Sequence, residues 1–219
     1  MNNILRLSLL VMAVLLITSC VNTKITNYYG TPRLIENSGI LILPTKGIAG
    51  YWSQQLYEQT KAQFKDTEAR LFYLPEEEYN LIKAGISKDM LDHLTLSDTI
   101  TLAEISEHLG VRYIIGAQVN NLQQGANYGV YTENDLNQYN SPYNTDNESN
   151  KADVLFDIYH VNSRSIEAKF LVHTSINPLI IQEDEGSESR VNVTDQMTAL
   201  YDAYKKAFSM IKKGMVAAK

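Results

Sequence analysis

The chain has almost no cysteine: Cys20 is the single thiol in 219 residues. One cysteine closes no internal disulfide, and no second soft ligand is present for a zinc site, so the common structural uses of the residue are excluded. Histidine is scarce too. His93, His108, His160 and His173 are all there are, and none stands in the close spacing of a helical ligand pair, so no metal is expected. A Gly-x-Ser-x-Gly elbow, a phosphate-cradling loop and a Gly-x-Gly-x-x-Gly turn are also missing. Catalytic groups can still assemble from distant positions, but the residues offer no catalytic set and no cofactor motif, and an enzyme is not expected. Positive charge is short as well: the formal net charge is −6. Nucleic-acid binding needs a clustered basic footprint, and none stands out.

What is present begins with the surroundings of Cys20. Arg6 gives a positive start with no acid nearby, Leu7 to Ile17 is an apolar run, and Ile17, Thr18 and Ser19 close it just before the cysteine. This is the layout of a secretory signal over residues 1–19. The uncharged stretch from Leu7 to Ser19 falls short of the roughly 20 apolar residues that a spanning helix needs. Ile17-Thr18-Ser19-Cys20 resembles the bacterial lipobox. By that resemblance Cys20 receives a diacylglyceryl group, becomes the mature N-terminus and is acylated on its new amine. Several acyl chains anchor far more firmly than one, because each buried methylene adds about 0.8 kcal/mol. The mature protein is then membrane-tethered through lipid on Cys20.

Val21-Asn22-Thr23-Lys24 has no aspartate directly after the cysteine and no acidic cluster. In bacterial lipoproteins that pattern implies the periplasmic face of the outer membrane. Residues 20–38 read as a polar tether, with Asn27 to Pro32 as turn punctuation. Removal of residues 1–19 leaves 18 basic against 25 acidic residues. The roughly 180 residues that follow suit one domain, expected over 39–214.

That domain reads as α/β, with a mixed sheet of about five strands and flanking helices. Ile40-Leu41-Ile42-Leu43, ending at Pro44, has the unbroken apolarity of an interior strand. Tyr51 to Lys65 places Trp52, Leu56 and Phe64 near one helical face. Ala69 to Leu74 is a second strand. Pro75 stops it, and Glu76, Glu77 and Glu78 fall in the first turn of a short helix, where the helix dipole favours acids; this accounts for them better than a metal or acid–base site. Thr101 to Glu104 fits a capping box for a helix ending at Gly110. Val111 to Val119 is a third strand, and Asp153 to Val161 and Ile166 to Ile176 form a hairpin around Asn162 to Ser165. Setting Ile158 against Ala168, Phe156 against Phe170 and Val154 against Val172 keeps one face apolar and puts Asp157 opposite Lys169. Last, Met197, Leu200, Tyr204, Phe208 and Ile211 recur at helical spacing after Asp195. Trp52 and Phe156 are expected to be buried.

GILILPT, LPEEEYNLIKAGI, LAEISEHLGVRYIIGAQV, ADVLFDIYHVNSRSIEAKFLVHTS and the closing amphipathic helix together resemble a superfamily of periplasmic lipoproteins. It includes the CsgG curli secretion subunit, the LpoB activator of peptidoglycan synthases and the N-terminal domain of TolB. The resemblance spans roughly residues 39–213 and implies a protein that grips a periplasmic protein partner and supports envelope assembly or regulation. It offers no catalytic residue. The other reading is a subunit of a secretion pore like CsgG, with a homo-oligomer left open. A pore needs spanning strands of about 9 to 11 alternating residues. Gln124 to Lys151 begins with Ala126, Tyr128 and Val130 but continues as TENDLNQYNSPYNTDNESNK, and Leu179-Ile180-Ile181 gives way to an acidic run.

Gln124 to Lys151 is a 28-residue polar insert with seven asparagines, far longer than a hairpin requires. Tyr128, Tyr131, Tyr139 and Tyr143 are spread along it, and tyrosine joins a large contact area to a polar tip. These four are the candidate partner-binding residues, and replacing residues 126–149 by a linker is expected to spare the fold.

Overall fold

The computed structural model describes residues 21–131, 148–183 and 187–216, with Tyr131 placed by its backbone. The lipobox residues Ile17, Thr18, Ser19 and Cys20, and Tyr139 and Tyr143, lie outside the described residues.

The chain enters the fold at once. Val21–Tyr29, read above as part of a polar tether, is an edge strand (β1) paired antiparallel to Ser165–Ile176. The segment is thus part of the fold and not a polar tether. The strand alternates: Ile25 packs on the core and the Thr23 hydroxyl meets that of the buried Thr174 at 3.2 Å, while Asn22, Lys24 and Thr26 point outward. Further along the same segment Leu34 is fully buried.

Gly39–Ile42 (β2) is interior, as its apolarity implies. Ile40 and Ile42 face one core, Leu41 and the following Leu43 the other. Gly50–Phe64 (α1) returns the chain to Arg70–Tyr73 (β3), which is parallel to β2. Trp52 is only partly buried at the start of α1; Ser53, Leu56, Tyr57, Thr60 and Phe64 form the inward face instead. Leu74–Lys83 (α2), Lys88–Asp92 (α3) and Thr99–Leu109 (α4) then cover the opposite face of the sheet. Glu76 and Glu77 sit in the first turn of α2, and Glu78 pairs with Lys88 at 2.5 Å.

The capping box expected at Thr101 is displaced by one turn. Asp98 caps α4, accepting from the Thr101 amide at 3.2 Å, and Gly110 ends the helix at φ +65°, a conformation that favours glycine. The hydroxyl and amide of Thr101 hold the Asp98 carboxyl below its ordinary value of 3.8. A lowered folded-state value means that the cap's contribution is fully present above 3.8 and fades as pH falls through the lowered value. Asp98→Ala should therefore cost about 1 kcal/mol at neutral pH, and the difference from the parent should shrink on acidification, measured by urea unfolding at several pH values.

Val111–Gln123 (β4) lies parallel to β2 on its other side and antiparallel to Asn150–His160 (β6). A register shift between Val119 and Asn121 returns Leu122 to the core side, opposite Ala152. β6 and Ser165–Ile176 (β7) pair in the expected register, with Ile158 on Ala168, Phe156 on Phe170, Val154 on Val172 and Asp157 on Lys169. Gln196–Lys213 (α5), capped by Asp195, packs with α1 over the aromatic core. The main sheet has six strands in the order β1-β7-β6-β4-β2-β3. Beside it, Tyr128–Tyr131 (β5), Leu179–Gln182 (β8) and Glu188–Val191 (β9) form a second sheet in the order β5-β9-β8. The expected insert over 124–151 thus contains one strand of the small sheet and the first two residues of β6.

Candidate partner-binding surface

The small sheet grows from one end of the large one, and a polar joint holds it there. Asn150, fully buried, donates to the Thr194 carbonyl at 2.9 Å and to its hydroxyl at 3.1 Å, and accepts from the Gly125 amide at 2.9 Å. Asn192 donates to the carbonyls of Ala126 and Glu148 at 2.5 and 2.6 Å. Gln124 accepts from the Gln196 amide at 2.8 Å, tying the joint to the start of α5. A Cβ at Gly125 would lie 2.0 Å from the Glu148 carbonyl oxygen, so the chain can pass there only as glycine. Three segments meet at this joint, and each finds its hydrogen-bond partner on another.

Below the small sheet lies an ion cluster. Arg190, with 8% of its side chain exposed, reaches Glu148 at 2.6 Å through Nη1 and Glu188 at 2.7 and 2.5 Å through Nε and Nη2. Burial opposes the guanidinium charge, yet its hydrogen bonds to Glu148 and Glu188 leave it held above its usual range. Successive side chains of a strand point to opposite faces. Glu188 and Arg190 therefore share the inner face of β9, while Ser189 and Val191 belong to the outer one.

The outer face is apolar around a buried Ser189, whose hydroxyl donates to the Glu183 carboxylate. The register sets Val130 and Ile181 on either side of Ser189, and Tyr128 and Leu179 on either side of Val191. Tyr128, Val130 and Ile181 are 61%, 50% and 45% exposed. Ile180, on the other face, is also exposed. Charge is buried beneath the sheet, and aliphatic side chains are exposed on its outer face and, at Ile180, at the edge of the inner one.

Of the four tyrosines singled out, Tyr128 stands on this face with its hydroxyl 3.4 Å from that of Ser189, and Tyr131 pairs by its backbone with Glu188. Val130, Leu179 and Ile181 were missed. Their signal was present as two short apolar bursts, Tyr128 to Tyr131 and Leu179 to Gln182, which look too brief to matter until they are placed beside each other. His160 and His173 lie at opposite ends of their hairpin: His173 contacts Asp153, and His160 bonds Ser163 at 3.0 Å. Among the described residues, no group of three or more histidines, cysteines or acids is arranged to hold a metal, and no helix is long and apolar enough to cross a membrane.

No family model and no curated protein matches the chain. Solved structures similar to it at low identity include the PelC dodecamer from Paraburkholderia phytofirmans, 9% identical over 87% of this chain and 97% of that one, with a TM-score of 0.43. Lipoprotein GNA1162 from Neisseria meningitidis is 10% identical over 78% and 98%, with a TM-score of 0.41. The C-terminal domain of LpoB from Salmonella enterica is 10% identical over 67% and 87%, with a TM-score of 0.39.

Proposed function

We propose that this chain is a lipoprotein of the bacterial envelope, anchored through Cys20 at the periplasmic face of the outer membrane, that binds a protein partner through the outer face of β5, β8 and β9. The anchor rests on the lipobox-like Ile17-Thr18-Ser19-Cys20 and on the resemblance to the superfamily of CsgG, LpoB and TolB. The observation that carries the binding role is the apolar outer face of the small sheet, held on a buried ion cluster and a hydrogen-bonded joint. A fixed apolar surface with little loss of freedom on binding is what recognition rewards. The role is binding and not catalysis. Assembly or regulation is favoured over a pore subunit because β5, β8 and β9 have four residues each, against the roughly 9 to 11 of a spanning strand.

Labelled palmitate should enter the protein, and Cys20→Ser should leave an unprocessed, unlabelled precursor. Recovery of a processed but lipid-free protein would overturn the anchor. For the surface, the test is capture of crosslinked partners from envelopes, read by mass spectrometry. Val130→Asp with Ile181→Asp should lower capture at least tenfold, the factor that about 1.4 kcal/mol sets. Tyr79→Asp, at an exposed tyrosine on α2, is the control and should change little. Undiminished capture by the double variant, with an unchanged thermal transition, would move the interface elsewhere. Linker replacement must be confined to residues 132–147, since replacing 126–149 would remove β5 and Glu148 together.

A further inference from the structure

β1 begins at Val21, one peptide bond after Cys20, and hydrogen-bonds to β7 from its first residue, which pairs with Ile176. If lipid sits on Cys20, no free chain separates it from the folded domain, because one residue spans at most about 3.6 Å. The corner of the sheet that carries Val21 is then held at headgroup level. That corner has a distinct surface. Val21 and Thr23 of β1 and Asp202, Lys205, Lys206 and Ser209 of α5 line a trough of about 470 Å³.

Charge around the trough runs against the rest of the molecule. The chain as a whole is acidic, at −6, yet residues 21–35 contain Lys24 and Arg33 and no acid. After Asp202, α5 carries Lys205, Lys206, Lys212 and Lys213, and no acid follows to the end of the chain. Lys205 and Lys206 line the trough and are exposed, while Lys24 points to the opposite face of the sheet. Cations at the bilayer surface are attracted by anionic headgroups, and a basic patch beside an acyl anchor supplies a second attachment signal. The same contact would cover an edge strand of nine residues, which otherwise offers a row of unpaired backbone groups to other chains.

We propose that the β1–α5 trough rests on the anionic headgroup surface of the bilayer, so that the domain is docked flush on the membrane and not suspended from it. This rests on the lipid-anchor reading of Cys20. It also narrows the partner. Ile176, the neighbour of Val21, pairs in turn with Asn150 at the centre of the joint that carries the small sheet. The binding face therefore stands at the membrane end of the molecule, and the partner must present its own surface there, as a membrane-embedded or membrane-bound protein does.

Lipidation leaves no free thiol in the protein, so a single introduced cysteine takes a fluorophore cleanly. Ser209→Cys marks the trough. Asn162→Cys marks the β6–β7 turn, at the end of the hairpin away from Val21, which pairs with Ile176. In vesicles of phosphatidylethanolamine and phosphatidylglycerol carrying a headgroup quencher, the label at position 209 should be quenched severalfold more than that at 162. With a flexible Gly-Ser segment inserted between Cys20 and Val21, the contrast should persist on these vesicles. It should collapse on phosphatidylcholine, or when Lys205 and Lys206 are both changed to glutamate. Equal quenching at 209 and 162 in a protein that does take up palmitate overturns the docking and leaves the anchor standing. Failure of palmitate labelling overturns both. A contrast in the inserted protein that ignores lipid charge overturns the role of the lysines, and contact between labels on neighbouring copies would assign the edge to self-association instead.

Discussion

Phe156→Ala should destabilise the domain by about 3–5 kcal/mol, a large share of the 5–15 kcal/mol that holds a domain of this kind together. The ring is fully buried, stacked on Phe170 at 5.3 Å and met edge-on by Tyr204 at 5.1 Å and Phe208 at 6.0 Å. Truncation opens a cavity that the surroundings cannot close. The β6 backbone is fixed by pairing to β4 on one side and β7 on the other, and α5 is held from above by its own row of buried side chains. Urea unfolding should show a lower midpoint at an unchanged slope, since the surface exposed on unfolding hardly changes. Leu155→Ala, one residue along on the half-exposed face, is the internal control and should cost less than half as much. Equal losses at 155 and 156 would mean that the two faces of the sheet are not as assigned.

That alternation was legible in the chain, and so was the register that follows from it. A one-residue slip in the β6–β7 hairpin would turn Phe156, Ile158, Phe170 and Ala168 to solvent, so the apolar pattern admits a single pairing. The end signals of the last helix and Gly110 were equally plain, because caps depend on local backbone geometry alone. β1 escaped notice for a physical reason. Its inward side uses Thr23 and Ile25, and a threonine that bonds a buried threonine across the strand looks polar in sequence. The capping box at Thr101 failed because Asp98, three residues earlier, offers a carboxylate where the box offers a hydroxyl.

The small sheet was hidden more thoroughly. Pattern reasoning takes apolar residues as inward and charged ones as outward, and here Val130 and Ile181 face out while Arg190 and Glu188 face in. Its strands have four residues each, too few for a period to declare itself. The third member of the ion cluster, Glu148, lies 42 positions from Arg190 inside a segment whose composition suggests a solvated loop. Only the tyrosines pointed toward the surface, and of these Tyr128 stands on the outer face of the small sheet.

The ion cluster gives the second large effect. Arg190→Met should unseat the small sheet while leaving the main one folded. The methionine fills much of the space but donates nothing, and Glu148 and Glu188 are left facing each other with about a tenth of each side chain exposed. Breaking a buried pair by removing one partner costs about 3–5 kcal/mol, because the charge left behind is poorly solvated. Four-residue strands have little else to offset such a loss, so the damage should stay local: amide exchange should quicken across β5, β8 and β9 and remain slow in β4, β6 and β7. Capture of the partner should fall with it, since the outer face is presented only while the inner face is pinned. Changing Glu148 and Glu188 to glutamine in the same variant removes the stranded charges and should recover most of the lost protection, as replacing a whole buried ion group by neutral side chains commonly does. Exchange in β9 that is unaltered by Arg190→Met would show that the joint around Asn150 holds the sheet without the cluster. Loss that the added glutamines fail to reverse would place the role of Arg190 in its packing and not in its charge.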